Sequence, residues 1–236
     1  MVDERDISQE RKWFYQERAR VVIVSLQKKN INAQYVLTRQ EALPVILEMI
    51  PEGVTVVRGD SVTLDQVGVT SELRKRKQNK FIDPFAIKPD GSWLRGREER
   101  LRLMREAFSC GVFITGTNAI TLDGKLVNID GLGNRVAAMI FGPEKVIVVV
   151  GVNKIVQDVN EALARIHEVA APLNAKRHFL KYPAEEFGDL PCVRTGRCVD
   201  CNHDWRICRY TVVIEGSMIQ EKGRINVVLV GEELGM

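Results

Sequence analysis

Val146-Ile147-Val148-Val149-Val150 is a run of β-branched residues with no polar position in it. A strand with one wet face alternates apolar and polar side chains; this one does not. Such a run belongs inside a parallel sheet that is covered on both faces. It is far too short to cross a bilayer.

The rest of the chain repeats the theme. Val54 to Val57 and Val112 to Ile114 are further short apolar runs, each ending in glycine and hydroxyl residues. Helical patterns stand between them. Residues 5–29 carry Ile7, Phe14 and Val21 on one face, and 31–37 reads as extended. Thr38 precedes a helix through Ile50, in which Pro44 is tolerable only in the first turns. Residues 98–109 place Leu101, Met104 and Phe108 together, and 160–171 place Leu163 and Ile166 together, with Pro172 as a stop. Two late strands, 210–214 and 225–230, either return to the sheet or form an edge hairpin. The expected fold is α/β, a mostly parallel twisted sheet with helices on both faces. One domain over 1–236 is expected, with 1–35 as an N-terminal helical extension and 181–210 as a cysteine-rich insertion.

Charge narrows the function classes. Lys and Arg number 34 and Asp and Glu 31, a net +3 over 236 residues. That balance gives no reason to expect nucleic acid as a partner. The charged opening MVDERDISQERKW lacks the apolar stretch of a secretion signal, so no membrane insertion and a cytoplasmic location are expected.

Open α/β sheets bind ligands at the carboxyl ends of their strands, which directs attention to three loops. The first holds Gly59, Asp60, Ser61 and Thr63. It can cradle an anion, or Asp60 or Ser61 can simply cap the next helix. The second, Thr115-Gly116-Thr117-Asn118, follows a buried strand directly and suits a pocket wall. Asp123-Gly124 beyond it reads as a hairpin turn. The third holds Asp130, Gly131, Gly133, Asn134 and Arg135. Its G-x-G continues into Val136 where a dinucleotide fingerprint needs glycine, so no NAD site is expected. Arg135 is suited to gripping a carboxylate or phosphate with two bonds.

Four of the five cysteines, Cys192, Cys198, Cys201 and Cys208, fall within 17 residues with spacing C-x5-C-x2-C-x6-C. Clustered soft thiolates in a reducing compartment favour a metal, either zinc or an iron–sulfur cluster, with His203 as an alternative ligand. A Cys198–Cys201 disulfide and unpaired thiols are the competing readings. Cys110 reads as a small core residue, and His167 and His178 as structural or surface groups.

Three blocks then carry a family likeness: Gly59-x-Ser61-x-Thr63, Thr115 to Ile120, and Leu126 to Ala138 with its Asn-Ile-Asp-Gly-x-Gly-Asn-Arg core. Gly142-Pro143-x-Lys145, Gly151-Val152-Asn153-Lys154, Ala171-Pro172-Leu173-Asn174-Ala175 and Thr195-Gly196-x-Cys198-x-Asp200-Cys201 extend it. The chain resembles the LUD-domain (lactate utilisation) family, also described as YkgG-like or DUF162. The resemblance implies a fold like ribose-phosphate isomerase and the CoA transferases (NagB/RpiA-like). It also implies a place beside iron–sulfur partner subunits in a complex that oxidises lactate. Gln66 and Leu122 stand where the family often has acidic residues. Any carboxylate chemistry would then fall to Asp60, Asp123 or Asp130, with Asp123 and Asp130 as the catalytic candidates.

Three functions are expected from these features. The first is a subunit or accessory protein of 2-hydroxy-acid oxidation, with a small anionic substrate and a thiolate metal site. The second is a stand-alone enzyme or binding protein for a sugar phosphate or CoA ester. The third is a regulatory protein that senses redox state or metal.

Overall fold

The computed structural model of the chain describes residues 5–181 and 188–236. In chain order its α-helices are α1 (Ser8–Gln27), α2 (Arg39–Glu48), α3 (Val62–Val67), α4 (Val69–Arg76), α5 (Arg97–Arg105), α6 (Asn134–Ile140), α7 (Val159–Arg165), α8 (Ala171–Lys181) and the short α9 (Pro191–Thr195). Its strands are β1 (Asn32–Val36), β2 (Thr55–Arg58), β3 (Lys80–Ile82), β4 (Val112–Gly116), β5 (Ala119–Thr121), β6 (Leu126–Asp130), β7 (Lys145–Gly151), β8 (Ile155–Val156), β9 (Tyr210–Ile214) and β10 (Ile225–Val230).

Six strands form the main sheet in the order β1-β10-β7-β4-β2-β3, and every pairing in it is parallel. The fold class is therefore α/β with a parallel sheet. The apolar run of β7 lies near the centre, where all its residues beyond Lys145 are buried. Its side chains alternate between two cores. Val146, Val148 and Val150 meet Ala19, Val22 and Leu26 of α1 and Ala138 and Met139 of α6. Ile147 and Val149 meet Ala42 and Ile46 of α2, Leu64 of α3 and Leu73 of α4. Each such side chain contributes about 1.5–3 kcal/mol by leaving water, so a polar residue anywhere in β7 would cost a core on one side or the other.

The two late strands take different routes. β10 inserts between β1 and β7, with Val228 opposite Val149. β9 instead joins a smaller sheet, β8-β5-β6-β9, antiparallel to β6. Asp123-Gly124 makes the β5–β6 turn, with Gly124 at φ 80°. One face of this sheet (Ile120, Leu126, Ile155) closes the α1 core, and the other (Ala119, Val127, Val156) is covered by α7. Within residues 1–35, α1 fills part of the core and most of β1 forms the edge of the main sheet.

Thr38 caps α2 as its sequence suggests, its hydroxyl accepting the Glu41 N–H at 3.2 Å. Pro172 does not stop the helix that begins at Val159. The chain passes through a π turn, Ile166–Ala170, in which the Ala171 N–H reaches back to the Ile166 carbonyl, and continues as α8. Proline lacks an N–H and crowds the carbonyl four residues back. The wider π turn moves that carbonyl aside, so Pro172 sits near the start of α8 without breaking the path.

Candidate functional site: a cationic cavity at the carboxyl ends of β2, β4 and β7

β2 leads into α3 and α4 on one face of the sheet, whereas β4 leads toward the small sheet and α6 on the other. The two loops therefore part company at adjacent strand ends. That divergence opens the crevice in which α/β sheets place ligands.

Glycine makes the close approach of these loops possible. A Cβ on Gly59 would lie 2.7 Å from the Thr115 hydroxyl, and one on Gly116 would lie 2.9 Å from that of Ser61. The resulting cavity measures about 1050 Å³. Its floor holds Asp60, Ser61, Thr63, Gly116, Thr117, Asn118, Arg135 and Lys154. Phe85, Trp93, Arg95, Arg97 and Arg100 form a second wall, and Trp205, Arg206, Ile207 and Arg209 a third. Arg100 stacks on Trp93, its guanidinium carbon 3.2 Å from the ring centroid.

Charge in the cavity is one-sided. Among the described residues eight Lys and Arg line it against three Asp, and two of those carboxylates are already engaged. The Asp60 carboxylate takes both terminal nitrogens of Arg177, at 3.2 and 2.5 Å. Burial alone would raise its pKa, but Arg177, with help from His178 and Arg58, holds it below the ordinary carboxylate range. Asp130 caps α6: one oxygen accepts the N–H groups of Arg135 and Val136, each at 3.1 Å, and the other accepts that of Gly131.

Lys154 is the conspicuous group. It follows β7, is only 5% exposed, and donates to the Thr63 hydroxyl at 3.1 Å. Among the described residues no carboxylate pairs with it. Burial first, and then the charges of Arg165 and Arg135, lower its pKa from 10.5 to about 7. Gly235 lies over the pair, so close that a Cβ there would meet the Thr63 hydroxyl at 2.5 Å. Its N–H donates to Gln66 at 2.6 Å. Gln66 thus tethers the C-terminal segment above Lys154, and Leu122 packs against the α1 core.

The other residues singled out from sequence fall into distinct roles. Arg135 does not offer a free fork. One terminal nitrogen donates to Gly116 O and to Asn128 at 3.2 and 2.6 Å, the other to Asn118 and Ile129 O at 3.0 and 2.8 Å. It binds the second and third loops together and supplies charge to the cavity. Thr117 donates within the same network, and Thr115 is wholly buried behind the wall. Gly131 and Asn134 line the cavity, while Gly133 supplies the left-handed turn before α6, at φ 80°. Asp123 stays in its hairpin turn beside Lys29 and Lys125, held by Thr121, and does not line the cavity.

His178, read from sequence as structural or surface, lines the cavity 3.9 Å from Asp60. Burial, against the pull of Asp60, lowers its pKa to about 4, so it is neutral at pH 7. Lys154 and the Trp93–Arg100 wall were not singled out from sequence. A lysine three residues past the most apolar strand was the available signal for the first. For the second there was none, because residues 84–96 carry no helix or strand pattern.

The four clustered cysteines come together. Cys192, Cys198, Cys201 and Cys208 line one void of about 20 Å³, against α8 and Leu190. Among the described residues no group of three or more His, Cys, Asp or Glu side chains is arranged to hold a metal ion. His203 is turned away, its Nδ1 accepting the Trp205 N–H at 3.1 Å. His167, from the π turn, has its Nδ1 3.5 Å from the Cys198 sulfur. Cys110 is a core residue, its thiol pushed up to about 11 by burial.

A DUF162 family protein from Deinococcus radiodurans is similar over 93% of this chain and 97% of its own, at 14% identity and TM-score 0.48. Ribose 5 phosphate isomerase A from Neisseria gonorrhoeae is similar over 60% of this chain and 64% of its own, at 15% identity and TM-score 0.33. The delta subunit of eIF2B from Chaetomium thermophilum is similar over 64% and 54%, at 18% identity and TM-score 0.30. No curated protein matches the sequence. Among the described residues no helix is long and apolar enough to cross a membrane. The LUD domain profile matches residues 19–230, and the chain belongs to the LUD domain family.

Proposed function

We propose that this LUD-domain chain binds a small organic anion of the 2-hydroxy-acid type in the cavity at β2, β4 and β7, as a component of lactate utilisation. The observation that carries the reading is Lys154, a buried cation facing the cavity with a hydroxyl as its hydrogen-bond partner. A buried charge without a counterion is costly. A ligand carboxylate beside Lys154 supplies that counterion.

The residues divide the work. Lys154 and the Thr63 hydroxyl hold the carboxylate. Arg135 supplies further positive charge without moving, since its donors are committed to the loops. With a pKa of about 7, Lys154 exists in both protonation states near neutrality, and so it can also hold or release a proton beside the bound acid. Oxidation of a 2-hydroxy acid removes two electrons, and these would leave through the iron–sulfur partner subunits that the family likeness suggests.

A second reading, a protein for a sugar phosphate or CoA ester, has its own support. At about 1050 Å³ the cavity is much larger than a three-carbon acid needs, and the Trp93–Arg100 stack offers a flat surface beside the cations. Thermal unfolding with L-lactate, pyruvate, ribose 5-phosphate and CoA separates the two. A raised melting temperature with the short acids, absent in Lys154→Met, supports the first reading. A rise only with the phosphorylated compounds replaces it with the second. No rise with any of them overturns anion binding.

A further inference from the structure

The cysteine void and the anion cavity share a wall. Arg206, Ile207 and Ala171 line both. Ile207 presses on the third loop: a Cβ added to Gly131 would come within 3.3 Å of its backbone. The Arg209 N–H donates to Asp130 O at 2.9 Å. The stretch between Cys201 and Cys208 is therefore cavity wall, held at both ends by residues of the void.

The void has the features of a small soft-ion site. At about 20 Å³ it has room for a single small ion among the four thiols. Apart from the four thiols and Arg206 its lining is Ala171, Pro172, Ala175, Leu190, Pro191, Val199 and Ile207. Such walls leave water few polar partners. The backbone is shaped to gather the sulfurs. Asp200 takes a left-handed φ of 45° inside Cys198–Cys201, and Gly196, at φ 71°, ends the short helix that carries Cys192. Arg206 spans the site, donating to Cys201 O and to Asp200, while its Nε is buried with no hydrogen-bond partner. A thiolate is an acceptor for such an orphaned donor, and a metal turns thiols into thiolates.

We infer that Cys192, Cys198, Cys201 and Cys208 bind one four-coordinate Zn²⁺, and that this ion fixes the Trp205–Ile207 wall so that anion binding depends on it. The ion is structural: all four positions are filled by protein, which leaves none open for substrate. The second half of the inference rests on the anion reading of the cavity; the first half does not.

The test uses the full-length protein as purified. Elemental analysis is expected to find close to one zinc per chain, and little in Cys201→Ser. Hydrogen exchange is then compared before and after chelation, with no substitution needed. Amides in 196–209 are expected to exchange at least tenfold faster without zinc, those of β7 to stay unchanged, and added zinc to restore protection. Iron with sulfide, disulfides with no metal, or exchange that ignores chelation would each overturn the zinc site. L-lactate and ribose 5-phosphate are titrated into both forms. Equal binding to the loaded and the chelated protein overturns the coupling. Failure of both to bind loaded protein removes the anion reading and the coupling with it, leaving the zinc site in place.

Discussion

Replacing Lys154 with methionine removes a large electrostatic cost from the site. The side chain is buried, and burial together with Arg165 and Arg135 lowers its pKa from 10.5 to about 7. Held charged below pH 7, it costs the fold about 5 kcal/mol relative to the unfolded chain. The sign follows from proton counting. Between pH 7 and 10.5 the unfolded lysine is protonated and the folded one is not, so the unfolded state binds more protons and stability rises with pH. The slope is about 1.4 kcal/mol per pH unit across that window. Below pH 7 both states carry the proton and this slope vanishes. Methionine keeps the length of the side chain and removes the charge. Lys154→Met is therefore expected to be more stable than the parent at pH 6.5, by a few kcal/mol after local relaxation and loss of the bond to Thr63. Its advantage shrinks as pH rises toward 9.5. Urea unfolding at fixed pH steps measures both proteins. Parallel profiles across the range, or a variant less stable at pH 6.5, would show that Lys154 carries no such cost.

Other residues give predictions of different sign. Asp60 is held below its ordinary range, so its pairing stabilises the fold above pH ~4 and is lost as pH falls through the lower folded value. Asp60→Asn should cost about 1–3 kcal/mol at pH 7, for breaking a half-buried, hydrogen-bonded pair with Arg177, and should flatten the acid limb of the stability profile. Asp130→Ala should cost about 1 kcal/mol in chemical unfolding through the lost cap on α6, with no separate loss of chemistry. Asp123→Ala should leave anion affinity unchanged in a titration, because the side chain stays in the β5–β6 turn; a tenfold loss would return it to the candidate list.

Much of the fold was legible because it rests on short-range patterns. The unbroken β-branched run at 146–150 and the helical spacing of its neighbours suffice for a parallel sheet between helices. What was not legible depends on contacts distant in sequence. Nothing in Ile225 to Val230 says that it inserts between β1 and β7, while Tyr210 to Ile214 leaves for another sheet. Pro172 misled because a π turn, which has no simple sequence signature, absorbed it. The same divide runs through the site. The glycines and hydroxyls of the first two loops announce themselves, and their convergence follows from parallel strands. The partners that set each residue's role do not. Asp130 reads as a catalytic carboxylate until its three N–H donors are seen, and Arg135 as a ligand clamp until its bonds to Asn118 and Asn128 are seen. Lys154 gains its character only from burial beside Arg165 and Arg135.

The most direct test of the anion-binding account is calorimetric titration of the same anions at pH 7.5, in two buffers of different ionisation enthalpy. The account predicts saturable binding with uptake of about half a proton or more per site, because an anion beside Lys154 raises its pKa from about 7. Lys154→Met should lose at least tenfold in affinity and take up no proton. Saturable binding that is identical in Lys154→Met and independent of buffer would contradict the account, as would no binding of any anion to the parent protein.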